Sequence, residues 1–299
     1  MSRILIAGLL VSMATPSAFA QTQGASGDPA QAQQTSAQQP ASDDDPDRDV
    51  NLSQPDFNLA ALPTTLRVPR FKSSFRVTHR FGRPLGDGDF GDLVEDLFGL
   101  DNGAGIGLEY RFGIFRGAQV GIHRTSISKT IEFFGEYSVK PQRDGFPFGI
   151  VAMATVEGTN NFHDEDDENI QSSVTPSIGV LLSREIGDRG AIYVEPFWVN
   201  NTNPQPEELV DDNNTVIIGL GARLRLGRST YVVLEGAPRV SGYDPGVTHV
   251  SFGIEKRAGG HLFQLNFSND FATTMGQIAR GGFNNDDWYL GFNISRKFF

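Results

Sequence analysis

From residue 72 to the C-terminus, the chain alternates apolar and polar residues with a period of two, in segments of about ten residues. Successive strand side chains point to opposite faces, so each such segment has one face suited to hydrocarbon and one that is not. The segment 214–226 is the clearest: Val216, Ile218, Leu220, Ala222, Leu224 and Leu226 alternate with Ile217, Gly219, Gly221, Arg223 and Arg225. In 104–112, Ile106, Leu108, Tyr110 and Phe112 stand against Gly105, Gly107, Glu109 and Arg111. Twelve segments of this kind can be read, at 72–81, 104–112, 117–126, 129–139, 146–157, 171–184, 190–199, 214–226, 229–238, 247–256, 260–268 and 288–299.

The connections add a second constraint. Every even-numbered one is short (113–116, 140–145, 185–189, 227–228, 257–259), whereas the odd-numbered ones are long and polar (82–103, 158–170, 200–213, 239–246, 269–287) apart from the third, near Ile127 and Ser128. A soluble sandwich also uses short alternating strands, but it does not order loop length by parity. Transmembrane barrels do, with short periplasmic turns and longer extracellular loops. The expected fold is therefore all-β, a transmembrane antiparallel barrel of about twelve strands in the bacterial outer membrane. Its partners would be outer-membrane lipid and the barrel-insertion machinery, which reads a C-terminal strand ending on an aromatic such as Phe299. Trp288, Leu290, Phe292, Ile294 and Phe298 share that strand's apolar face, interrupted by Arg296, whose long side chain can reach interfacial water.

Upstream, residues 1–20 combine Arg3, an apolar run too short to span a bilayer, and Ala18-Phe19-Ala20, the layout of a secretory signal peptide. Residues 21–65 are rich in Gln, Ala, Ser, Asp and Pro and are expected to form a disordered periplasmic linker ahead of a barrel at 66–299. The bridging stretch 57–71 either lies against the barrel mouth or plugs it. The chain has no Cys, which removes disulfides and thiolate metal sites, and a net charge of -11 disfavours nucleic acid. Histidine spacing implies no metal, and no phosphate-binding glycine loop occurs, so no cofactor is expected.

The strings LPTTLRVPRFKSSFRVTHRFGRPL, LDNGAGIGLEYRFGIFRGAQVGIHRTSISKTIEFFGEY and VEGTNNF resemble those of an uncharacterised bacterial outer-membrane β-barrel family, a domain of unknown function. The resemblance runs from about residue 62 to 299. It implies a barrel and carries no catalytic or binding residues with it.

If the apolar faces meet lipid, the opposite faces line the lumen with Arg76, Arg80, Glu109, Arg111, His123, Glu132, Glu136, Glu157, Glu195, Arg223, Arg225, Glu235 and Glu255. Such charges must pair in a narrow barrel, and they would either fill it or leave a small polar channel for a polar or charged solute. Within the first long loop, Asp87, Asp89 and Asp92 alternate with Phe90, Leu93, Leu97 and Phe98 in the pattern of a short amphipathic helix. Folded inward, it would constrict or plug the pore; folded outward, it would sit at the membrane surface. Acidic runs at 164–168 and 207–212 read as hydrated loop surface. Two alternatives to a channel follow: a closed structural or docking barrel working through its loops, and a lipid hydrolase or acyltransferase built on His123 with Ser126 or Ser128 and Glu132 or Glu136.

Overall fold

The computed structural model describes residues 50–143, 145–159, 174–202 and 213–299. The expected signal peptide, most of the expected linker and the acidic runs at 164–168 and 207–212 lie outside the described residues.

The strands are β1 (Ser73–Pro84), β2 (Ala104–Phe115), β3 (Ala118–Thr125), β4 (Thr130–Lys140), β5 (Gly149–Thr159), β6 (Val174–Glu185), β7 (Gly190–Val199), β8 (Thr215–Arg225), β9 (Thr230–Ala237), β10 (Arg239–Ser241), β11 (His249–Ala258), β12 (His261–Ser268) and β13 (Tyr289–Lys297). Each pairs antiparallel with the next around the wall, and β1 pairs with β13, which closes it. Pro238 lacks an amide hydrogen and breaks the ninth wall strand into β9 and β10, both of which pair with β8. The wall therefore has twelve strands, as the alternation indicates.

Burial alternates along the strands as the sequence predicts. On β8, Ile217 and Arg223 are buried inside while Leu220 and Leu224 are exposed outside. The outer face is a belt of exposed apolar side chains such as Ile106, Leu108, Ile178, Ile254 and Leu265, with hydrocarbon as their matching solvent.

The lumen is occupied from both ends. From the short-turn end, periplasmic in barrels of this type, residues 50–68 enter, turn at mid-height and return to β1. The two legs are tied by Leu59 N–H to Leu62 O (2.8 Å), Thr64 N–H to Phe57 O (2.7 Å) and an antiparallel bridge between Asn58 and Pro63. Nearly every residue from Ser53 to Thr64 is buried. This corrects the linker reading for 50–65 and resolves the 57–71 alternative as a plug. Polar composition hid the segment, because its hydrogen-bond partners lie on the wall rather than within it.

From the opposite end, the last long loop folds inward and carries α2 (Met275–Arg280), whose residues 275–279 are all buried. The first long loop behaves otherwise. Its helix α1 (Phe90–Glu95) buries no residue, and Phe90 is 72% exposed, Leu97 55% and Phe98 39%. Asp87, Asp89 and Asp92 are exposed and Leu93 is half-buried. Of the inward and outward placements open to this loop, the structure has the outward one, so the possible constriction is corrected. Arg83 holds it at the rim, donating to Asp92 O (2.9 Å), Asp87 O (2.6 Å) and the Asp96 carboxylate.

One sector of the inner wall is apolar. Val151, Met153, Leu181, Tyr193, Phe197, Ile217 and Val233 form a cluster with Leu59 and Leu62 of the hairpin and Met275 and Ile278 of α2. Gly219 and Gly221 of β8 make the dents for the two leucines: a Cβ on Gly219 would sit 3.1 Å from Leu62 Cδ2, and one on Gly221 would overlap Leu59 Cδ1. Burial of each leucine contributes about 1.5–3 kcal/mol.

Candidate functional site

Strand pairing brings the charged side chains together. Arg76 faces Glu109, Glu109 faces His123, His123 faces Glu132 and Glu132 faces Glu157, each as a register partner on consecutive strands β1 to β5. Residues some eighty positions apart thereby form one oblique row on the inner wall. Glu109 and Arg111 are paired, and Arg111 also reaches Glu136 at 2.8 Å. Across the lumen, Arg223 grips Glu255 with two bonds of 2.8 Å, a fork-to-carboxylate geometry. All these residues are at most 5% exposed.

The hairpin is held by these charges. Glu235 accepts the amide hydrogens of Ala60 (2.9 Å), Ala61 (2.8 Å) and Leu62 (3.1 Å). The Ala60 carbonyl accepts from Arg76 (2.5 Å), Arg80 (3.1 Å) and Asn293 (3.1 Å). Arg223 donates to Asn58 O at 2.5 Å, and the Asn58 side chain lies between Glu109 and Arg111. Gln264 donates to Leu59 O at 3.1 Å. Arg67 pairs with Glu136 on the returning leg. At the periplasmic rim, Ser53 and Gln54 donate to Glu185 at 2.8 and 2.6 Å.

The loop insert is held by the same chemistry. Met275 N–H donates to Glu132 (3.0 Å) and Gly276 N–H to Glu157 (2.9 Å), so two wall carboxylates cap α2. Below it, Asp270 lies 2.6 Å from His249 Nδ1, and His249 Nε2 lies 3.0 Å from Glu235. Burial alone would raise the Asp270 carboxyl, but the His249 ring outweighs it and holds the group below its ordinary range. Glu235 therefore touches both inserts, the hairpin tip directly and the loop through His249.

Several buried polar atoms have no hydrogen-bond partner among the described residues: both oxygens of Glu195, both ring nitrogens of His123, and Thr78 Oγ1. His123 Nδ1 is 3.9 Å from Glu132, too far for a hydrogen bond. Unpaired buried groups are costly, so these mark the part of the lumen that its own side chains do not satisfy.

Among the residues singled out from the sequence, Arg225 needs correction as a lumen group. It is the last residue of β8, is half-buried, and donates to Gly227 O (3.0 Å) and Arg228 O (3.2 Å), so it holds a rim turn. The hydrolase constellation does not assemble either. His123 is buried inside, whereas Ser126 is exposed on the opposite face of its strand line and accepts from Ile106 N–H at 2.9 Å. Ser128 is exposed in the β3–β4 turn. Sequence reasoning missed His249, Gln264, Asn293 and Asp270. The first three occupy inward positions of the same alternation, but as a lone ring and two amides they were not singled out from it.

Residues 56–298 match the profile of a family described as a membrane-bound β-barrel domain (DUF5777). No curated protein sequence matches the chain. Similar solved structures include the outer membrane protein Omp33 of Acinetobacter baumannii (10% identity, 78% of this chain and 100% of that one, TM-score 0.43). An outer membrane channel of Pseudomonas putida F1 is similar over 78% of this chain and 98% of its own, at 10% identity and a TM-score of 0.44. Outer membrane phospholipase A of Escherichia coli is similar over 78% and 94%, at 11% identity and a TM-score of 0.41. Likeness at this level leaves the activity to be argued from the lumen itself.

Proposed function

The chain belongs to the family of membrane-bound β-barrel domains, and from that premise we propose that it is a narrow outer-membrane channel for small polar or charged solutes, shown here with its lumen closed by the hairpin 50–68 and the loop bearing α2. The observation that carries this reading is the seat of the hairpin tip. Three consecutive amides bind one carboxylate, Glu235, and one carbonyl, Ala60 O, binds two guanidiniums and an amide. Water and solute can replace each of these bonds, whereas a wall built only as a scaffold would be filled with side chains of its own. With the hairpin withdrawn, Arg76, Arg80, Arg223, Glu109, Glu235 and Glu255 would face an aqueous path lined by both charge signs. The unpaired Glu195, His123 and Thr78 atoms would then gain water.

Single-channel recording in a planar bilayer tests this. The refolded protein should give sparse, brief steps, and Glu235→Ala should make them longer or more frequent by releasing the hairpin. Silence from both proteins, with barrel insertion demonstrated, would overturn the channel reading and favour a closed barrel acting through its loops.

A further inference from the structure

The outer wall is not uniform. Across β2 to β5 the lipid face is hollowed into an apolar trough of about 610 Å³. Its floor is Gly135 and Ala154, which are register partners on β4 and β5, so two of the smallest residues lie side by side on the outside. Tyr110, Phe112, Phe133 and Val156 form its banks. Other small outward residues stand beside larger register partners, Ala222 beside Leu234 and Gly236 beside Leu220.

Charge marks one end of this trough. On β3 the outward position beyond Ile122, toward the long-loop end, is Arg124, and Lys129 lies exposed in the turn that follows. Arg124 is held in place by Nη1 donating to Thr130 O (3.2 Å) and Thr125 O, which leaves Nε and Nη2 uncommitted among the described residues. Among the described residues, the other arginines of that end are engaged within the protein. Arg83 is taken by Asp96; Arg239 donates to Pro245 O and Arg280 O, both at 2.6 Å; and Arg280 donates to Thr202 O at 3.1 Å. The β3–β4 connection is also the short one on this side, so no long loop of its own stands over the cations.

We propose that this face seats one anionic, phosphate-bearing lipid of the outer leaflet, with an acyl chain in the trough over Gly135 and Ala154 and its phosphate against Arg124 and Lys129. Two features select this occupant together. A zwitterionic phospholipid carries its own cation beside its phosphate and so gains less from Arg124 and Lys129 than a lipid whose phosphates have no cation of their own. A second copy of the chain would meet the same two cations on its own equivalent face if paired symmetrically, like charge against like. The seat is independent of whether the lumen conducts.

The test uses the full barrel reconstituted with phosphatidylcholine, with or without added lipid A, and counts retained lipid by native mass spectrometry. Three proteins are compared: wild type, the pair Arg124→Gln with Lys129→Gln, and Gly135→Leu. A Cβ at Gly135 meets nothing within 4 Å, so that substitution fills the trough without disturbing the wall. The gel shift of folded against heated barrel verifies folding in each. Wild type should retain one lipid A and no phosphatidylcholine, and each variant should lose at least tenfold in retention. Three results would overturn the proposal: no lipid A on wild type, unchanged retention in either variant, or a wild-type dimer that Gly135→Leu dissociates.

Discussion

The first and last long loops each carry a six-residue helix, yet one lies outside the barrel and the other inside it. The difference is where each helix finds its cap. In α1 the Asp89 carboxylate accepts from Gly91 and Asp92 N–H, and Asp92 accepts from Asp89 N–H, a reciprocal box that satisfies the helix start locally. At α2 the preceding Thr274 caps nothing, and the first amides go to Glu132 and Glu157 of the wall. A helix that caps itself is free to leave the lumen; one that borrows its cap from the wall is tied to it. Amphipathic character does not decide between them, since α1 has the stronger apolar-acidic alternation and remains outside.

This contrast can be broken at several points. The largest effect is expected from Glu235→Ala, which removes the acceptor of three hairpin amides and a partner of His249. Loosening of both inserts by about 3–5 kcal/mol, the range for stripping one member from a buried charged pair, should show as faster trypsin cleavage at Arg67 and Arg280. Next comes Gly276→Ala, whose Cβ would overlap the Glu157 carboxylate and come within 3.0 Å of Thr175 Cγ2. Overpacking of about 1–3 kcal/mol should release α2 alone, so cleavage at Arg280 rises while that at Arg67 does not. Asp89→Ala should cost α1 about 1 kcal/mol, seen as faster hydrogen exchange in that loop, with channel behaviour unchanged. Deleting 86–101 should leave conductance as it is. Larger steps on that deletion would show that the first loop, too, enters the lumen.

The wall was legible in the sequence because each strand obeys one rule of alternation that needs no tertiary information. Val216 to Leu226 reads as strand with its faces assigned, and Arg223 and Glu255 fall inside as that rule requires. The fillings were not legible, because their stability comes from partners remote in sequence. Asn58, Ala60 and Asp56 look like linker until Glu109, Arg76 and Ser295 are placed around them. Nor does alternation distinguish a lumen charge from a rim charge, which is why Arg225 read like Arg223 although it lies two residues further toward the turn. The apolar inner sector was hidden for a related reason: Leu181 and Ile217 sit at inward positions where an empty lumen would call for polarity, and only the hairpin and α2 explain them.

Each insert enters and leaves by a single mouth, and the two mouths are at opposite ends. The hairpin comes in past Glu185 and returns to β1 at the short-turn end, while the α2 loop departs from β12 and rejoins β13 at the other. Neither segment is threaded through the wall or wound around the other, so each can be drawn out toward its own compartment with all twelve strand pairings intact. The molecule is in this respect a tube with a tethered cork at either end, and the corks meet at Glu235. The hairpin tip bonds Glu235 directly and the α2 loop reaches it through Asp270 and His249, so the two seats share one carboxylate of the wall.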